Sequence, residues 1–199
     1  GDKTPYSNDG TIYGATFTTD RKGKANSAMS FDGVNDKISL DSSPVFATIN
    51  TAFTVSFWGY NKDLVTQVYP HAVVLKSDSP SNTPFEITLS QQSSYAGLLI
   101  GSSSDWIRLR SNFIPSTKNW HHYIVSYNGG GAGLSSSFSM FIDGVEASKL
   151  STYSFSVLTN ATSIGGPTVG GSSNFWYGSI SDVRIYNRAL SEDEIKTLY

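Results

Sequence analysis

The sequence holds four glutamates, Glu86, Glu146, Glu192 and Glu194. Carboxyls in pairs do a specific chemistry, the hydrolysis of a glycosidic bond. It needs them roughly 5–5.5 Å apart for retention or roughly 6.5–9.5 Å apart for inversion. None of these four forms such a pair by spacing. Glu192 and Glu194 belong to a terminal Ser-Glu-Asp-Glu helix start, Glu86 is alone on its segment, and Glu146 follows the Asp143-Gly144 turn. His121-His122 invites a metal or general-base reading. Neighbours on a strand point to opposite faces, so the two cannot share an ion. His71 is placed near neither by any sequence argument. With no cysteine, thiol catalysis, Cys-zinc sites and disulfides are excluded. No nucleophile-elbow or Ser-x-x-Lys pattern is present. Gly129-Gly-Gly-Ala-Gly133 lacks the Lys-Ser/Thr and the helix of a phosphate loop and reads as a flexible connection.

Binding chemistry is better represented. A sugar stacks on an aromatic face and gives its hydroxyls to Asp, Asn, Gln or Arg, and a rigid aromatic loses little entropy in doing so. Aromatics in polar loops or on strand faces away from the core are the candidates: Tyr69, Tyr95, Trp106 and Trp176. His71 follows Tyr69-Pro70, and Arg108 shares a strand face with Trp106 two residues earlier. These six are the expected ligand-binding residues.

The elements that must position them are strands. Phe53, Val55 and Phe57 alternate with Thr54, Ser56, Trp58 and Tyr60, a period of two that one buried face requires. The segments 11–17, 28–31, 37–40, 72–75, 85–89, 96–100, 106–110, 120–127, 138–142, 145–148 and 161–165 read as further short strands. Asn8-Asp9-Gly10, Asp32-Gly33 and Asp143-Gly144 read as turns between them. The last strand, from Gly178, alternates Ile180, Asp182, Arg184 and Tyr186 on one face with Ser181, Val183, Ile185 and Asn187 on the other. Ser191-Glu-Asp-Glu194 then has the form of a capping box, with Leu190 and Ile195 at the places of a hydrophobic staple. Hydrophobic residues make up 38% of the 199 and aromatics 13%, enough for a real core. Charged residues are 15% and the net charge is −2, no footprint for nucleic acid or anionic lipid. No apolar run approaches the ~20 residues of a membrane helix. Many strands, Gly/Asn turns and one helix predict an all-β fold: a two-sheet antiparallel jelly-roll sandwich with one short C-terminal helix, a single domain over 1–199. Plentiful Ser, Thr, Gly and Asn with scarce Lys and Glu point outside the cell, to a cell surface or a virion surface. The start at Gly1-Asp2 reads as that of an excised piece.

Several stretches occur together in one order: Phe31-Asp-Gly-Val-Asn-Asp36, Phe53-Thr-Val-Ser-Phe-Trp58, Trp120-His-His-Tyr-Ile-Val-Ser-Tyr127, Phe141-Ile-Asp-Gly-Val145, Ile164-Gly-Gly166 and Ile180-Ser-Asp-Val-Arg-Ile-Tyr-Asn-Arg-Ala-Leu-Ser191. In that order the chain resembles the laminin G-like, concanavalin A-like lectin/glucanase domains over essentially its whole length. The resemblance implies two curved sheets with ligand on the concave face or rim loops. It implies that Trp58 and Trp120 are framework residues of the core, and that the His pair is framework too, one partly buried and bonded to a neighbouring strand and one outward. The glucanases of this fold carry Glu-x-Asp-x-(x)-Glu on one strand, which no stretch here reproduces. Many relatives hold a structural calcium that ties the N-terminal strand to the last one. The matching set here would be Asp9, the carbonyl of Gly33, and Asp182, with Ser181 where the first carboxylate commonly stands.

The expected function is a non-catalytic extracellular carbohydrate-binding module whose partner is a glycan or polysaccharide. An alternative is a structural or adhesion domain of a virion or large surface protein, with other domains of its parent as partners. A glycoside hydrolase is a third reading. Neither nucleic acid nor membrane insertion is expected.

Overall fold

The structure, a computed structural model, describes residues 8–40, 52–63, 71–76, 85–88, 97–102, 105–111, 113, 115–129, 137–151, 161–167 and 174–199. Two seven-stranded antiparallel sheets face each other. The first contains β1 (Thr11–Tyr13), β4 (Lys37–Leu40), β13 (Ala161–Ile164), β6 (His71–Lys76), β7 (Phe85–Thr88), β8 (Gly97–Ser102) and β9 (Asp105–Arg110), neighbours in that order. The second runs β12 (Val145–Ser151), β11 (Ser137–Ile142), β10 (Trp120–Tyr127), β5 (Phe53–Asn61), β14 (Tyr177–Tyr186), β3 (Ala28–Asp32) and β2 (Thr16–Thr18). A single short helix, α1 (Glu192–Leu198), closes the chain. The expected all-β sandwich is therefore present.

Between the sheets lies one apolar cluster, because the inward positions of each strand are the hydrophobic ones. Phe53, Val55 and Phe57 of β5 meet Tyr123, Val125 and Tyr127 of β10, Phe138, Met140 and Ile142 of β11, and Ala72 and Val73 of β6. Stacked rings, Tyr127 on Phe138 at 4.4 Å and Phe57 on Tyr123 at 5.2 Å, fill its middle. The Asp143-Gly144 turn joins β11 and β12 with both residues in the left-handed region (φ 52° and 76°), as a two-residue hairpin demands.

Two local expectations are corrected. The single first strand over 11–17 is broken into β1 and β2, which belong to different sheets. Gly14 makes the break: its φ is +77°, and a Cβ there would stand 1.9 Å from Oδ1 of Asp36. Ala15 is thereby turned into the core. In β14 the simple alternation fails. A bulge between Ser181 and Arg184 puts Asp182 at φ 55°, so Ile180, Val183 and Ile185 all join the core while Ser181 pairs with Trp58 and Arg184 with Ser56. Period-two reasoning cannot see the extra residue.

The helix is anchored as its sequence suggested. Ser191 Oγ accepts from the Glu194 amide at 3.3 Å and the Glu194 carboxylate accepts from the Ser191 amide at 2.9 Å. Glu194 also pairs with Arg188 through both guanidinium nitrogens, at 2.9 and 2.6 Å, which holds its carboxyl down at about 2. Leu190 and Ile195 bury against Ile124 and Phe141 on the outer face of the second sheet.

Candidate functional site

The outward side chains of the second sheet form successive rungs across β10, β5 and β14, and their fates differ along the face. Nearest the helix, Ser126, Thr54 and Tyr186 are aligned, then Ile124, Ser56 and Arg184. Thr54 Oγ1 donates to the Arg188 carbonyl (2.9 Å) and accepts from the Leu190 amide (3.0 Å), with Ser126 Oγ at 3.2 Å. This end is covered by α1.

The middle rung is His122, Trp58 and Ser181, all buried. The His122 ring stacks on Trp58 at 4.8 Å and Tyr199 stacks on Trp58 at 5.8 Å. From the connection between β2 and β3, Arg21 lays its guanidinium 4.1 Å over the Trp58 ring. His122 Nε2 stands 2.8 Å from Ser56 Oγ. A hydroxyl against an imidazole is how a nucleophilic serine begins, but the third member is committed elsewhere. Asp143 Oδ2 meets His121 Nδ1 at 2.7 Å and its Oδ1 accepts the His122 backbone amide at 2.8 Å. Both Ser56 and His122 are only 2% exposed. The arrangement closes the sheet rather than opening it to a substrate. The two histidines face opposite ways, as expected, so their rings are not placed to share an ion.

Burial, and after it the Arg21 charge, lower the His122 pKa to about 4 from 6.5. The neutral ring is the form the fold accepts. Between those two values the unfolded chain binds more protons than the folded one, so stability falls as pH drops from about 6.5 toward about 4 and levels off below. The full loss is about 3 kcal/mol, of which about 2 falls between pH 7 and pH 4.5. Chemical denaturation at pH 7 and pH 4.5 reads it, and His122→Gln is expected to shrink the pH dependence over that window.

Further along the same face the cover ends. Gly59 points at Phe57, Tyr123 and Trp176 in the core, so Tyr60 points out, opposite Trp120 on one side and Ser179 on the other. The Tyr60 and Trp120 rings lie 5.7 Å apart and tilted by 54°, both half-buried. Beyond them Lys62 Nζ sits 5.5 Å from the Tyr177 ring, and the Lys62 amide donates to the Tyr177 carbonyl at 3.0 Å. Lys118 joins this end, its amide donating to the Asn61 carbonyl at 2.8 Å. Lys62 and Lys118 are exposed. Tyr60, Trp120 and Tyr177, each partly buried, thus follow one another as an aromatic strip along this end of the face. Strand alternation gave Tyr60 its outward side. Trp120, expected in the core, is instead only partly buried on the outer face, where its pairing with Tyr60 places it.

Trp176, expected to stack on ligand, is instead in the core: it is 0% exposed and its ring meets Phe57 edge-on at 6.5 Å. It sits one residue before β14 on a segment that turns inward, its amide held by the Gly165 carbonyl at 2.8 Å. Tyr69 and Tyr95 lie outside the described residues. For His71, Trp106 and Arg108 the backbone alone is described, in β6 and β9. Trp106 stands opposite Gly101 and Arg108 opposite Leu99, in regular register up to the exposed Arg110.

The calcium set is dispersed over three elements. Asp9 precedes β1 of the first sheet, Gly33 lies in the β3–β4 turn against Tyr177, and Asp182 is on β14 of the second sheet. Asp182 Oδ1 is 3.0 Å from an Arg184 nitrogen and Oδ2 is 3.7 Å from Arg21. Ser181 brings no charge, and its buried Oγ has no hydrogen-bond partner. Two guanidiniums already take the negative charge that a hard divalent ion would need, so these residues do not fit calcium. The thermal midpoint is expected to be the same with chelator and with millimolar calcium. A midpoint several degrees higher in calcium would restore an ion to this junction.

Three further carboxylates are also engaged. Asp32 Oδ1 accepts the Val34 and Asn35 amides, Asp36 Oδ2 accepts the Asp32 amide, and Asp20 Oδ1 accepts the Lys22 and Lys24 amides. They build turns.

A family model described as the concanavalin A-like lectin/glucanases superfamily matches residues 32–196. The chain belongs to that superfamily. Among solved structures, this superfamily domain is similar to domain 4 of AbnA, a GH43 extracellular arabinanase from Geobacillus stearothermophilus, in complex with arabinotriose: 18% identity, TM-score 0.71, covering 95% of this chain and 87% of that one. It is similar to the receptor-binding domain of botulinum neurotoxin D at 14% identity and TM-score 0.72, covering 100% of this chain and 48% of that one. A Trypanosoma rangeli sialidase shares 16% identity and a TM-score of 0.68 over 95% of this chain and 28% of its own. The domain therefore spans about half of the toxin fragment and less than a third of the sialidase. At these identities the likeness establishes the fold. No curated protein sequence matches the chain. Among the described residues no helix is long and apolar enough to cross a membrane.

Proposed function

We propose that this superfamily domain is a non-catalytic glycan-binding module that works outside the cell. The observation that carries the reading is the end of the second sheet beyond Trp58, where Tyr60, Trp120 and Tyr177 stand only partly buried on the outer face. Aromatic surface left open on a rigid strand scaffold binds sugar rings at low entropic cost. The commitment of Asp20, Asp32, Asp36, Asp143 and Asp182 to turns and ion pairs supports a binding role over hydrolysis. The likeness to an arabinanase domain solved with arabinotriose supports a saccharide as the ligand class. Trp106 and Arg108 of β9 and His71 of β6, together with Tyr69 and Tyr95 outside the described residues, remain a second set of proposed contacts.

A glycan array that includes neutral and acidic oligosaccharides tests the reading. Binding of at least one class, with no release of reducing ends on prolonged incubation, is the expected result. Silence across the array would move the domain to the adhesion or structural role, and reducing ends would make it a hydrolase. Alanine at Trp106 and, separately, at Tyr60 tells the two locations apart.

A further inference from the structure

We infer that the aromatic strip of the second sheet is a subsite for an acidic saccharide, one bearing a uronate carboxylate or a sulfate. The inference rests on the glycan-binding reading and adds the site and the charge of the ligand. Tyr60 and Trp120 present tilted rings 5.7 Å apart, a shallow cradle into which one pyranose face and edge would fit. Two exposed ammonium groups flank this cradle from separate segments: Lys62 directly follows the end of β5, and Lys118 lies in the turn that enters β10. Both are held close to the strip by their backbones. The Lys62 amide donates to Tyr177 and the Lys118 amide to Asn61. Lys118 adopts φ 59°, a left-handed conformation that non-glycine residues seldom take, so its place is set by the turn. Neither ammonium is ion-paired with a described carboxylate, whereas the cations over the covered middle of the face, Arg21 and Arg184, are both paired with Asp182.

Neither of the two carboxylates near the strip is ion-paired with these lysines. Asp32, opposite Tyr177 on β3, spends Oδ1 on two turn amides. Asp63 lies past the end of β5, in a turn where its amide donates to the Asn61 side chain at 3.3 Å. An incoming carboxylate or sulfate would meet two lysines at the rim and ring faces beneath. In exposed surroundings each charge pair contributes modestly and is screened by salt, so charge selects among glycans while stacking holds them.

The test is calorimetric titration of the 199-residue chain with an oligogalacturonate, a sulfated oligosaccharide and neutral arabino- and gluco-oligosaccharides. Lys62→Glu/Lys118→Glu tests charge and Tyr60→Ala tests stacking. The lysines are exposed, so the charge-reversed variant keeps the fold, which an unchanged thermal midpoint checks. An acidic oligosaccharide is expected to bind at least tenfold more tightly than the neutral ones. That preference is expected to vanish in the charge-reversed variant and to shrink several-fold between 50 and 500 mM salt, and Tyr60→Ala is expected to abolish binding to both classes. Equal binding of neutral and acidic ligands, lost in Tyr60→Ala, would overturn the acidic assignment and keep the glycan-binding reading. Binding untouched by both variants would overturn the site as well. If no saccharide binds, both readings fall.

Discussion

Trp176→Ala is expected to cost about 3–5 kcal/mol of folding stability, the usual penalty for emptying a large aromatic site in a packed core. Loss of sugar binding in that variant would follow from unfolding and would say nothing about contact with ligand. The ring is fully buried, edge-on to Phe57 and against the bare face of Gly59, where the nearest ring atom would lie 3.2 Å from an added Cβ. A neighbouring strand cannot slide in to fill the space, because β5 is fixed by pairing on both edges. The indole Nε1 is buried without a hydrogen-bond partner. Trp176→Phe therefore removes an unsatisfied donor along with part of the ring, and its loss is expected to be about 1 kcal/mol, well below that of the alanine variant. Urea unfolding of the two variants reads the difference. Near-equal losses would mean that the indole is held by something other than packing.

Thr54→Val is expected to lose about 2–4 kcal/mol, a large effect for an isosteric change. Thr54 Oγ1 serves the Arg188 carbonyl and the Leu190 amide, the two backbone groups that deliver the chain from β14 to α1. Valine fills the same volume but leaves both without that partner beneath the helix, in a site where water has little access. The helix has only seven residues and depends on its docking, so its release would expose Ile124 and Phe141. Thr54→Ser keeps the hydroxyl and is expected to lose less than half as much. Hydrogen exchange at the Leu190 and Ile195 amides localises the effect. Unchanged protection there in Thr54→Val would show that the hydroxyl is not the anchor.

What the sequence by itself determined was everything governed by local periodicity and turn chemistry. The inward Phe53-Val55-Phe57 set, the Asp143-Gly144 hairpin, the Ser191–Glu194 capping box and the opposite faces of His121 and His122 are properties of neighbours along the chain, and each is present. The two-sheet architecture follows from many such strands. Tertiary structure decided what lies over each outward side chain. Trp58, Tyr60 and Trp120 all lie on the outward face once β10 is registered on β5. Arg21 and Tyr199, 37 positions before and 141 after Trp58, cover that ring and leave the other two half-open. Trp176 reads as a loop aromatic until the Gly165 carbonyl and the space left by Gly59 draw it inward. The break at Gly14 and the bulge at Asp182 both depend on a residue from another strand, Asp36 in one case and the Trp58–Ser56 register in the other. A binding face is what remains after long-range covering is complete, and that covering is a sum over contacts distant in sequence, which no local pattern encodes.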